Sequence, residues 1–375
     1  MKRFFSKAIV FVLSITMLTT CFIGCAPTGG NPPADGGIKN VILVIGDGMG
    51  IGQINAGKMD KANDVYAFLN WTNARVNTSN ATGGVTDSAA GGTAIATGTL
   101  TTNDYVGLAT DGETELETIM DVAKALNKST GIVTTDYIYE ATPASFSAHA
   151  QSREDIDTII ESQITSSNVD IFCGKYSDEC ADYEYDIEEN GYAYCESFQA
   201  IDSTLDSAKQ FWSLKNYPWM DGLKTAVEKV ISVLEKDNDG FVLVVEQADI
   251  DKYCHENNLK KTAQCVQSLN NTVNAIMSWL GNRNDTAVIV TADHETGGLS
   301  VRDSYAEGYK SDWTTESMAT AYYRFESGNH TSAEVGFYIY GATPKFEDFA
   351  TYKRTDLIKN KEIYQILKSL IEDKD

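Results

Sequence analysis

The stretch Asn40–Gly48, NVILVIGDG, decides how this chain is read. Its apolar residues run on without alternation and are rich in β-branched types. That pattern belongs to a strand buried on both faces, as in a parallel sheet. The run passes directly into Asp47, set among Gly46, Gly48, Gly50 and Gly52. Two roles are open to Asp47: a turn former, or a ligand outside the carboxyl end of a strand. A dinucleotide turn is excluded by spacing, because Gly46 and Gly48 would need a glycine at 51 and the residue there is Ile51. The arrangement recurs twice. Phe241–Asp251, FVLVVEQADID, carries Glu246 and Asp251, and Ala287–His294, AVIVTADH, ends in Asp293 and His294. Carboxylates gathered at one end of three strands repel one another unless cations sit among them.

Working outward, apolar runs alternate with helical spacing along the whole chain. Helices are expected over 115–127, 153–164, 221–234, 259–280 and 357–371, and further strands over 130–135, 168–174 and 334–340. The alternation predicts an α/β fold: one large domain over 38–375, with a central, mostly parallel sheet covered by helices on both faces. Two acidic, aromatic-rich segments interrupt it, 175–218 and 302–329. The first reads as an insertion over one end of the sheet. Each is open to being a lid, a subunit contact or a plain surface excursion.

The N-terminus reads as a leader. Lys2, Arg3 and Lys7 precede an apolar run from Ala8 to Leu18 that is too short to span a membrane. Residues 1–24 are expected to be a secretory signal. Gly24-Cys25 resembles a bacterial lipoprotein processing site, with Cys21 as the competing cysteine, and 25–37 reads as lipid anchor and tether. The mature protein is then extracytoplasmic: anchored to the bacterial membrane at Cys25, or otherwise periplasmic or secreted.

The 375 residues are 42% hydrophobic, enough for a large core without covalent staples. The formal net charge is −23, and the leader contains only positive charges, so the mature chain is more acidic still. Such a surface excludes nucleic acid as a dedicated partner. It also makes binding of a small anion depend on local positive charge, for which metal ions are an obvious source. Five cysteines follow residue 25. An oxidising compartment permits disulfides, and Cys173–Cys180 is the preferred bridge.

Val85–Gly92, VTDSAAGG, leads into a run of tiny residues that opens a helix. Ser88 is placed either to cap that helix or to attack a substrate. Asp251 and His255, four apart on a helical turn, face the same way and suit one metal, with Cys254 between them as a soft alternative. Of only four histidines, His255, His294 and His330 fall in acid- or glycine-rich segments, while His149 does not.

Six motifs in order carry a resemblance to the alkaline phosphatase family: VILVIGDGMG (41–50), VTDSAAGGTA (85–94), EATPASFSAHAQSR (140–153), VEQADIDKYCH (245–255), TADHETGG (291–298) and SGNHTSAEV (327–335). The resemblance implies an alkaline phosphatase-like fold and a phosphomonoesterase with two zinc ions and one magnesium ion per chain. Ser88 would be the nucleophile, passing through a phosphoseryl intermediate. Asp251, His255 and His330 would hold the first zinc. Asp47, Asp293 and His294 would hold the second beside Ser88. Asp47 would bridge to magnesium, completed by Thr142 and Glu246. Arg153 would bind phosphate, oriented by Asp87. Glu140 and Lys252 would stand just outside the ligands of the third ion, an acid and a lysine that together suit magnesium there, and His149 would have no ligand role. Family members are often homodimers. A diesterase or phosphonate hydrolase on the same metal core, and a non-catalytic metal- or phosphate-binding surface lipoprotein, are the alternatives.

Overall fold

The strand-end acids face one place because their strands are neighbours. The computed structural model describes residues 37–60, 65–204, 209–217, 222–301, 323–341 and 357–372. The expected leader, Cys25 and nearly all of the expected tether lie outside these residues, as does most of the 302–329 segment. At the centre stand β1 (Asn40–Gly46), β7 (Phe241–Gln247) and β8 (Thr286–Thr291), every residue of them buried. β1 runs parallel to both neighbours, with Ile45 level with Glu246 on one side and Thr291 on the other. The carboxyl ends of all three strands therefore lie side by side.

The sheet extends outward through β3 (Ser129–Thr134), β4 (Ile171–Lys175), β6 (Lys209–Leu214) and β5 (Tyr192–Cys195) on one flank. The other flank carries β13 (Val335–Gly341), β2 (Thr72–Asn77) and β14 (Leu357–Lys359). The order is β14-β2-β13-β8-β1-β7-β3-β4-β6-β5, and only β13 runs against its neighbours. Four two-residue strands form two small ladders beside it: β9 (Glu295–Thr296) with β12 (His330–Thr331), and β10 (Ser300–Val301) with β11 (Tyr323–Arg324). The β9–β12 ladder brings His330 to the same end of the sheet as His294.

Helices pack in two groups. Ile51–Asp60, Gly222–Leu234 and Leu259–Leu280 associate on one side; Ser88–Thr97, Ala141–Ser145 and Asn360–Glu372 associate on the other. Asn360–Glu372 shows why it docks: Ile363, Tyr364, Ile366, Leu367, Leu370 and Ile371 are buried, an apolar stripe at helical spacing. The expected α/β layering is thus present.

Several local expectations are corrected. The helix expected from 115 begins at Ile119, because Thr118 and Asp121 close a reciprocal capping box there. The helix expected from Arg153 begins at Ile156, after Asp155 accepts from the Thr158 amide, which leaves Arg153 on the preceding loop. Leu357–Lys359 pair with β2 before the last helix starts. The 175–218 segment does not only lie over the sheet; it adds β5 and β6 to its edge. Its aromatics build a core for that extension, with Phe172–Phe211 and Phe172–Tyr192 ring centroids 5.4 and 5.9 Å apart. The Cys173–Cys180 bridge is absent. Cys173 sits inside β4 level with Trp212, Cys180 lies on the Asp178–Asp182 helix, and all five described cysteines are buried and free.

Candidate active site

The Ser88–Thr97 helix is not capped by Ser88. Its N-cap is Asp87, whose Oδ1 accepts from the Ala90 amide at 2.9 Å. Ser88 is the first helical residue, and its Oγ lies 3.1 Å from His294 Nε2. The tiny residues behind it allow close packing: a side chain at Gly91 would meet the Asp293 carbonyl oxygen at 2.9 Å. The loop after β1 is equally tight. Gly48 has φ +66°, and a Cβ there would lie 2.7 Å from Thr296 Oγ1 and 2.9 Å from Asp251 Oδ1.

Two groups of ligand-type atoms gather at the sheet end. Asp251, His255 and His330 form one; Asp47, Asp293 and His294 form the other; within each, the atoms lie within 4.8 Å of one another. In the first, His255 Nε2 is 3.2 Å from Asp251 Oδ2, and His330 Nε2 is 3.5 Å from Asp251 Oδ1. In the second, His294 Nε2 is 3.2 Å from Asp47 Oδ1 and 3.5 Å from Asp293 Oδ2. The His294 and His330 rings stack with centroids 3.7 Å apart, so the groups adjoin.

The outer nitrogens fix the tautomers. His255 Nδ1 faces the Gly328 carbonyl at 2.7 Å, and His330 Nδ1 faces the Thr86 carbonyl at 2.9 Å. A carbonyl only accepts, so each Nδ1 carries a proton and each Nε2 is turned inward. His294 Nδ1 lies 3.2 Å from Thr296 Oγ1, which donates its one proton to Asp251 Oδ1. That hydroxyl can only accept from His294, so His294 is also an Nδ1–H tautomer with its Nε2 lone pair facing oxygens. His255 Nε2 and His330 Nε2 stand 3.1 Å apart, a separation that calls for a cation or a shared proton between them.

The acids make the same demand. Asp47 Oδ1, Asp293 Oδ2 and Thr142 Oγ1 are buried without a hydrogen-bond partner. Burial, then Asp293, Asp251 and Glu246, pushes the Asp47 carboxyl well above its ordinary range. Burial, then Glu246 and Asp251, does the same to Asp293. Burial raises Glu246 to about 7, against the opposing bond from the Thr134 hydroxyl. Burial also holds His294 down to about 3, keeping it neutral and ligand-ready. Burial would raise Asp251 too, but its bond from His255 and the nearby His294 and His330 hold it below the usual carboxylate range. Imidazole and carboxylate donors in the two groups fit zinc-type ions. Thr142 and Glu246, lining one cavity with Asp47, offer the hard oxygens that suit magnesium.

Arg153 reaches into the same cavity. Its Nη1 is 3.8 Å from Asp87 Oδ2 and its Nη2 3.7 Å from Glu140 Oε2, so the carboxylates flank the guanidinium. Glu140 and Lys252 line this cavity with Thr142 and Glu246; Lys252 Nζ donates to Asp136, and Glu140 faces Arg153. Cys254 is no ligand, its buried thiol lying 3.6 Å from both Gln53 Nε2 and Thr262 Oγ1. His149 stands apart, on the Leu116 carbonyl at 3.1 Å. Two residues escaped the sequence reading. Asp136 had a signal, since it stands two residues past the carboxyl end of β3, close to where Asp47 stands after β1. Thr296 had none, because its hydroxyl matters only through partners on other segments.

The family model for alkaline phosphatase matches residues 38–187 and 163–345. Alkaline phosphatase 3 of Bacillus subtilis is 29% identical over 334 residues, covering 80% of this chain and 71% of that protein. Alkaline phosphatase 4 of the same organism is 30% identical, covering 76% and 66%. Among solved structures, a TAB5 alkaline phosphatase variant with Mg bound superposes with a TM-score of 0.78 at 25% identity, covering 91% of this chain and 99% of that one. With two histidine–carboxylate groups beside a helix-borne serine, and a family match across most of its length, the chain belongs to the alkaline phosphatase family of metal-binding phosphatases.

Proposed function

We propose that the chain hydrolyses phosphomonoesters through a phosphoseryl intermediate, releasing inorganic phosphate and an alcohol. The observation that carries this reading is Ser88 Oγ, 3.1 Å from His294 Nε2 at the meeting point of the two ligand groups. A binding protein has no use for a hydroxyl held there.

Asp251, His255 and His330 would hold one zinc ion, and Asp47, Asp293 and His294 a second beside Ser88. Asp47, Thr142 and Glu246 would hold magnesium. When bound, these ions supply positive charge that lowers the serine pKa and offsets charge on the entering and leaving oxygens. Arg153 receives two nonbridging oxygens of the substrate in a bidentate grip, turned by Asp87 and Glu140. Ser88 Oγ attacks phosphorus in line, and the P–O bond to the alcohol breaks on the opposite side. Water then attacks the phosphoserine along the reverse path, returning Ser88 and releasing phosphate. The dipole of the Ser88–Thr97 helix favours the anion throughout. With two free oxygens on the guanidinium and a third that would face the bound ions, the site suits a monoester, which has three, over a diester, which has two.

Residues 38–375 are read as the catalytic domain, delivered outside the cytoplasm by the 1–24 signal and held at the membrane through Cys25. Incubation of the metal-loaded protein with a radiolabelled phosphomonoester, quenched in acid, tests the mechanism. Wild type is expected to trap label on protein and Ser88→Ala to trap none. Label persisting in Ser88→Ala, or hydrolysis confined to diesters, would refute the proposal.

A further inference from the structure

Lys252 follows Asp251 in sequence, and its ammonium opens into the cavity that Asp47, Ser88 and Glu246 also line. It is held by Asp136, two residues beyond the end of β3 and 2% exposed. Asp136 Oδ1 has no hydrogen-bond partner of its own. Lys175, at the end of β4, stands 3.7 Å from that oxygen and 3.5 Å from Asp249 Oδ1. The result is a row of alternating charges, Asp249, Lys175, Asp136 and Lys252, running from the edge of the site into its cavity.

A buried carboxylate is tolerated only when paired, and Asp136 is paired with two lysines from different elements. A lysine stem is long and rotatable, so an ammonium without a fixed partner turns to the nearest unmet carboxylate. The other carboxylates within electrostatic reach of Lys252 are Glu246, Glu140 and Asp249. With the ammonium on Asp136, Glu246 stays open to a divalent ion, and the charge that Lys252 adds is cancelled locally.

We propose that Asp136 is a positioning residue that holds the Lys252 ammonium away from the Glu246–Thr142 oxygens, and so sets the affinity of that group for magnesium and of the cavity for phosphate. The inference rests on the phosphatase reading above. Its logic is electrostatic: removing the Asp136 charge leaves the ammonium to compete with Mg²⁺ and to attract a phosphate dianion.

The test is a double-mutant cycle on the full zinc-loaded protein, with Mg²⁺ and inorganic phosphate binding each measured by calorimetry. Asp136→Asn is expected to weaken Mg²⁺ binding and tighten phosphate binding, each by about threefold or more. In a Lys252→Met background the same substitution is expected to change neither by as much as about twofold. Equal shifts in both backgrounds would show a merely structural role and overturn the proposal, as would no shift in either. Should Asp136→Asn fail to fold, Asp136→Ser is compared in the same two backgrounds: it is expected to weaken Mg²⁺ by about threefold with Lys252 in place and by less than about twofold beside Lys252→Met; equal shifts overturn the proposal. A wild type that binds both ions yet hydrolyses no phosphomonoester counts against the enzymatic reading and leaves this one to its own result.

Discussion

Thr296 shows how one hydroxyl can serve two metal-binding groups. Its proton goes to Asp251 in the first group, and its lone pair takes the Nδ1 proton of His294 in the second. It thereby fixes the face that His294 presents and the rotamer of Asp251. Removing such an outer partner of a metal-ligating histidine typically costs about 10–100-fold in metal affinity. Thr296→Val keeps the shape and deletes the hydroxyl, leaving the buried His294 N–H without a partner. It is expected to weaken zinc binding about tenfold or more, while Thr296→Ser stays near wild type. Competition against a chromophoric chelator measures this directly, and an unchanged zinc affinity in Thr296→Val would show that the hydroxyl sets nothing. Sequence could not reveal this residue. A threonine two positions after a histidine is ordinary, and its meaning comes only from Asp251, forty-five positions away.

At the scale of elements, the Ser88–Thr97 helix joins stability to chemistry through its cap. Asp87 Oδ1 closes the helix on the Ala90 amide, and Oδ2 accepts from the Asp104 amide at 2.9 Å while facing Arg153. The two duties separate by substitution. Asp87→Ala loses both and is expected to lower stability by about 1 kcal/mol in urea unfolding. Asp87→Asn can still accept from Ala90, so it is expected to keep most of that stability, yet to change phosphate inhibition by removing the charge beside Arg153. Equal destabilisation by the two would show that the cap is not what Asp87 contributes. The same scale explains what was legible. β1, β7 and β8 read plainly because they are buried on both faces, and Leu259–Leu280 because its apolar stripe is long. Strand β2, TNARVN, did not: only Ala74 and Val76 are buried in it, too few to stand out. β5 and β6 hid in an acidic stretch, since their burial comes from aromatic partners across strands rather than from a continuous apolar run.

For the molecule as a whole, the fold gathers acids that it can hold together only with cations, and this sets how its stability depends on pH. Without metal, burial holds the Glu246 carboxyl at about 7, above its ordinary 4.5. Its contribution is complete below the unfolded value and lost as pH rises through 7. His255, bonded to Asp251, is raised from 6.5 to about 9, so its contribution is complete below pH 6.5 and lost as pH climbs through 9. His294 moves the other way, from 6.5 down to about 3, and weakens the fold only as pH falls below 6.5. Between pH 6.5 and 9 His255 and the raised carboxyls of Asp47 and Asp293 act in one direction: the metal-free protein is expected to melt at lower temperature as pH rises. Metal reverses the sign. Its ligands must be deprotonated, so affinity grows with pH, and an ion present at a thousandfold its Kd adds about 4 kcal/mol. The zinc- and magnesium-loaded protein is expected to melt roughly 10 °C or more above the chelated form at pH 8. The gap should widen from pH 6.5 to 9. Scanning calorimetry with and without chelator across that range reads both trends; a metal-free protein that grows more stable toward pH 9, or a gap that closes, would mean that the strand-end carboxylates and histidines do not share cations.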